Sequence, residues 1–91
     1  MFDKFEDDYV QFERIENPPH PCPDVCAFLR LHELVPVKKG IDMLAGAEHD
    51  EVYLEVDPED LEKVATENDV LYLTRCGVRY DEDDNALRMF V

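Results

Sequence analysis

The sequence predicts a small α+β domain: two or three short helices packed on an antiparallel sheet of two to four strands, with a C-terminal hairpin. Three observations point to it. Val52-Tyr53-Leu54-Glu55-Val56 has the β-branched and aromatic composition of a strand. Asp57-Pro58-Glu59-Asp60, directly after it, is a helix start, with a capping carboxylate, a proline at the first helical position and two acids at the positive end of the helix dipole. Val78-Arg79-Tyr80 and Ala86-Leu87-Arg88-Met89-Phe90-Val91 flank Asp81-Glu82-Asp83-Asp84-Asn85, a hairpin with an acidic tip. The chain has 91 residues, so residues 1–91 form one domain with a small core. Its 45% apolar and 10% aromatic content separates it from a disordered acidic tail, which lacks the side chains for any core.

In order along the chain, Phe2, Phe5, Tyr9 and Phe12 are spaced by three, four and three, which stripes one face of a short helix running into an extended segment. Residues 17–23 hold four prolines and read as a stiff connector, since proline lacks an amide donor and fixes φ. Asp24 can cap a helix to about Val35, with Val25, Phe28, Leu29 and Leu31 as its buried stripe and Pro36 as its stop. A second short helix is expected from about Lys38 to Leu44, ended by Gly46. The helix that begins at Pro58 should reach about Ala65. Thr66-Glu67-Asn68-Asp69 has the form of a capping box and Gly77 that of a helix stop, which favours a helix over 67–76. The strand-like composition of Val70-Leu71-Tyr72-Leu73-Thr74 competes with it.

Charge dominates the functional reading. With 23 acids, 9 bases and a net charge of −14, the chain has the wrong sign to bind DNA, RNA or an anionic membrane directly. It has the right sign for a protein whose own ligand is a polyanion. Glu48, Asp50, Glu51, Glu55, Asp57, Glu59, Asp60 and Glu62 form a block with no Lys or Arg, whereas residues 17–47 balance three acids against three bases. Arginines in a nucleic-acid groove can pair with carboxylates in the bidentate manner they use for phosphate. The expected function is therefore inhibition of a basic, nucleic-acid-handling protein by a carboxylate surface. Phage anti-defence proteins that imitate DNA, and immunity proteins that neutralise nuclease toxins, act by this chemistry. The residues expected to carry it are Asp50, Glu51, Glu55, Asp57, Glu59, Asp60 and Glu62, with Asp81, Glu82, Asp83 and Asp84. Tyr53, Tyr72 and Tyr80 can anchor the interface centre, although core burial suits two of them better.

Two other readings remain open. His20, Cys22, Cys26 and His32 are four zinc-capable residues within thirteen, and a zinc-stapled adaptor could dock through the neutral 17–47 segment. The spacing matches no standard zinc ribbon or finger. Alternatively the acids serve solubility or salt adaptation alone, which the lysine count of four fits. A calcium loop begins at Asp81-x-Asp83-x-Asn85 but fails at Ala86, where glycine is required.

Catalysis has little footing. There is no serine, the three glycines are scattered, and no acid stands two positions before a lysine. A nucleophilic pair of Cys22 or Cys76 with His32 or His49 has no local support. Three cysteines without an apolar leader at the acidic N-terminus lead us to expect free thiols and a cytoplasmic location. The longest apolar run, Val25 to Leu29, is far too short for a membrane span.

Overall fold

A computed structural model describes residues 2–36, 38–48 and 50–90. The sheet has four antiparallel strands: β1 (Leu44–Glu48), β2 (Glu51–Leu54), β3 (Arg79–Asp81) and β4 (Ala86–Phe90), in the order β1-β2-β4-β3. Three helices complete the domain: α1 (Pro23–Leu34), α2 (Pro58–Val64) and α3 (Glu67–Arg75). This is the α+β architecture expected. The Cα radius of gyration of 12.1 Å equals the ~12 Å of a fully compact chain of this length.

Each helix begins where local chemistry dictates. Glu59 N–H donates to the Asp57 carboxylate at 2.9 Å, and Pro58 opens α2 where no amide partner exists. A capping box starts α3: Asp69 N–H donates to Thr66 Oγ1 at 3.2 Å, and Thr66 N–H donates back to Asp69 Oδ2 at 2.9 Å. At its far end Val78 N–H donates to Leu73 O and Gly77 N–H to Thr74 O, a Schellman closure with Gly77 at φ +101°. The expected cap of α1 is corrected by two residues: the N-cap is Cys22, with no side-chain cap hydrogen bond. Pro23, not Asp24, leads, because a residue without an amide loses nothing at the first helical position. The buried stripe of α1 is Cys26, Ala27 and Leu31, while Leu29 is half exposed.

Two expected helices are corrected. Residues 38–43 form turns, with Ile41 N–H bonded to Lys38 O and Gly40 at φ +87°, and Leu44 to Glu48 become strand β1. Pairing with β2 supplies backbone partners that a lone short helix would lack. At the N-terminus, Phe2–Asp8 is a 3-10 segment kinked at Phe5, followed by a short 3-10 turn at Phe12–Arg14. Val10 N–H donates to Thr74 O at 3.1 Å and ties this segment to α3. Strand β2 also begins one residue earlier than expected and ends at Leu54. Val91, the expected end of the hairpin strand, lies outside the described residues.

The register separates the two faces of the sheet. Val52 lies opposite Met89, Leu54 opposite Leu87, and Tyr80 opposite Leu87 on its other side. Leu54, Leu87 and Met89 join Ala27, Leu31, Leu61 and Leu73 in one core cluster. Alternation puts Glu51, Tyr53, Arg79, Asp81 and Arg88 on the opposite face.

Candidate protein-binding surface

The acids divide into two populations. Glu55, Asp57, Glu59, Asp60 and Glu62 are exposed, as are Glu82, Asp83 and Asp84 in the β3–β4 turn. Leu54 pairs with Leu87 and Asp81 with Ala86, so Glu55, which follows β2, and the acidic turn lie at the same end of the sheet, and α2 begins three residues after Glu55. Asp50 is also exposed, but it sits in the β1–β2 turn at the other end, with φ +64°.

Glu51 and Asp81 belong to the second population and do not present free carboxylates. Arg79 Nε donates to Glu51 Oε1 at 2.8 Å, Arg79 Nη2 bonds the same oxygen, and Arg88 Nη1 donates to Glu51 Oε2 at 2.8 Å. The other side of Arg88 reaches Asp81 Oδ2 at 2.8 Å and also bonds Asp84. The guanidinium lies 4.2 Å above the Tyr53 ring. The bond from Arg79 holds the Glu51 carboxyl below its ordinary pKa against the opposing effect of burial, with Arg88 adding to it.

The remaining arginines are held in the same way. Arg30 donates to Asp69 Oδ1 at 2.8 Å and stacks 4.0 Å above Tyr72. Asp8 accepts from Arg14 at 3.1 Å and from Arg75 at 3.2 Å. All five arginines of the chain therefore pair with the protein's own carboxylates. Among the described residues no cation pairs with the exposed acids of 55–62 or with Glu82 and Asp83. Sequence reasoning missed these pairings. One signal was available: the hairpin sets Arg79 directly opposite Arg88, and facing like charges require a carboxylate between them.

The zinc-capable residues face other partners. His20 Nδ1 accepts from Cys22 N–H at 3.0 Å, and Cys26 Sγ donates to the His20 carbonyl at 3.0 Å. Cys26 is fully buried, while Cys22 and His32 are exposed. Among the described residues no group of three or more His, Cys, Asp or Glu is arranged to hold a metal ion. The acidic turn is also internally engaged, with Asp81 Oδ1 accepting from Asp83 N–H at 3.0 Å. His49 lies outside the described residues. Burial pushes the Cys76 thiol up to about 12, with Cys26 adding to the effect. No helix of the described residues is long and apolar enough to cross a membrane.

Compared with known proteins, the chain matches no family model, no curated protein and no solved structure.

Proposed function

We propose that this is a cytoplasmic binding protein without catalytic activity, which sequesters a basic, nucleic-acid-handling protein by presenting carboxylates where that protein expects phosphates. One observation carries the reading. The arginines are consumed internally by a few carboxylates, while Glu55, Asp57, Glu59, Asp60, Glu62, Glu82 and Asp83 stay exposed near one end of the sheet. A field of one sign steers a basic partner and fixes its orientation.

The test is capture of a basic nucleic-acid-binding protein from host lysate at low salt, with competition by duplex DNA. The complex should dissociate at high salt and be displaced by the duplex. A Glu55→Lys/Glu62→Lys/Glu82→Lys variant leaves the first turn of α2 and the Arg88 cluster intact, and it should lose the partner while keeping the wild-type circular dichroism. Unchanged capture by that folded variant refutes the proposal.

A further inference from the structure

We propose that the cavity between the N-terminal 3-10 segment and edge strand β3 receives an arginine side chain of the basic partner, an inference that rests on the binding function above and names a contact within it. The cavity has a volume of about 530 Å³. Phe2, Tyr9 and Tyr80 line it with rings, and Glu6 and Glu82 contribute two exposed carboxylates. Arg79 is the one cation among the lining residues, and its Nε and Nη2 are both bonded to Glu51. Neither Glu6 nor Glu82 has a cation partner among the described residues, so a ligand there meets negative charge beside aromatic surface, which disfavours an anion and suits a cation.

The protein's own arginines show which cation. Arg30 is held by Asp69 and the Tyr72 ring, Arg88 by Glu51 and the Tyr53 ring, and Arg79 by Glu51 with the Phe90 ring at 5.4 Å. Carboxylate plus ring is thus the arrangement this fold uses repeatedly for a guanidinium. The cavity brings carboxylates and rings together again, and the one guanidinium in its wall, that of Arg79, is already bound to Glu51. A guanidinium fits better than an ammonium, because it is planar, weakly hydrated and forked, and so can stack on a ring while bonding a carboxylate. Tyr9, a lining residue, has a buried hydroxyl with no hydrogen-bond partner among the described residues. Glu82 belongs both to this cavity and to the acidic turn, which makes the cavity continuous with the exposed carboxylates.

The test is a titration of the full ¹⁵N-labelled chain at low salt with N-acetyl-arginine amide, N-acetyl-lysine amide and the neutral isostere N-acetyl-citrulline amide. The arginine compound should shift the amides of Glu6, Tyr9, Tyr80 and Glu82, the lysine compound should bind several-fold more weakly, and citrulline should have no effect. A Glu6→Gln/Glu82→Gln variant should bind arginine roughly tenfold more weakly, since two partly exposed ion pairs are lost. Tyr80→Leu should weaken binding roughly two- to fivefold through the lost ring. The spectra themselves report whether each variant is folded. Equal effects of arginine and citrulline, shifts scattered over all acids, or unchanged affinity in the double variant would each overturn the inference. Arginine binding without capture of a basic protein keeps the cavity and removes the partner. Capture without arginine binding does the reverse.

Discussion

Replacing Thr66 with alanine tests the start of α3, where helix cap and stop signals compete with a strand-like composition. Thr66 Oγ1 accepts from Asp69 N–H at 3.2 Å and donates to Asp69 Oδ2 at 3.0 Å. Its loss frees the amide of the third helical residue, and removal of such a cap typically costs about 1 kcal/mol. In a chain of this size that lowers Tm by roughly 4–8 °C. Thr66→Ser keeps the oxygen and should stay within about 0.3 kcal/mol of wild type. Asp69→Ala should be worse, about 2 kcal/mol, because Asp69 also bonds Thr66 N–H and Arg30, whose guanidinium stacks on Tyr72. The two substitutions share their hydrogen bonds, so the double variant should be clearly less unstable than the sum. The effect also has a pH signature. Burial works to raise the Asp69 pKa, but the bonds from Thr66 N–H, Arg30 and the Thr66 hydroxyl outweigh it and leave the pKa lowered. A carboxyl with a lowered folded pKa stabilises above its unfolded value, near pH 4, and loses that contribution as the pH falls through the folded value. The margin of wild type over Asp69→Asn should therefore be full at pH 7 and shrink below about pH 4. Thermal and urea unfolding followed by circular dichroism measure all of this. If Thr66→Ala were as stable as Thr66→Ser, the cap would not exist and residues 67–75 would not begin a helix there.

Three further outcomes follow from burial and charge. In the native protein only Cys22 should react quickly with a thiol reagent; Cys26 and Cys76 are buried and should react only on unfolding, so three fast thiols would contradict the core. Stability should fall as the pH rises above about 8.5, the usual thiol value, because Cys76 holds its proton in the folded state up to about 12 and releases it earlier when unfolded. A Cys76→Ala variant should show a flatter alkaline limb in its Tm–pH curve. Leu61 and Leu73 are fully buried, and truncating either to alanine should cost about 2–5 kcal/mol, read as a lower urea midpoint with the slope unchanged.

What the sequence made legible was local chemistry. The start of α2 is written in Asp57-Pro58-Glu59, and both ends of α3 are written in Thr66–Asp69 and Gly77, contacts spanning a few residues. They prevailed over the strand composition of Val70–Thr74 because capping and a buried Val70, Leu73 and Thr74 face act together. Strand β1 was hidden for the opposite reason. Leu44-Ala45-Gly46-Ala47 has little β preference of its own, and pairing with β2 makes it a strand. The arginine partners were more distant still. Glu51 lies 28 residues from Arg79 and 37 from Arg88, Asp69 lies 39 from Arg30, and Asp8 lies 67 from Arg75. Composition showed a surplus of acid, but only the fold sorts those acids into paired and exposed.

That sorting makes folding and binding separable, and the separation can be measured. Glu51, Asp69 and Asp8 hold Arg79, Arg30 and the Arg14–Arg75 pair, so removing any of the three leaves a guanidinium without its counter-charge, whereas Asp81 shares Arg88 with Glu51 and Asp84. Glu55, Glu62 and Glu82 instead repel their neighbours in a chain of net charge −14 and have no cation partner among the described residues. Neutralising the three as Glu55→Gln/Glu62→Gln/Glu82→Gln brings the net charge to −11 and should leave Tm equal to or above wild type at low salt. The two curves should converge near 1 M salt, where screening acts within about 3 Å. The same variant should bind the basic partner more weakly. A lower Tm would mean that these carboxylates hold the fold together, and the surplus charge would then need no partner to explain it.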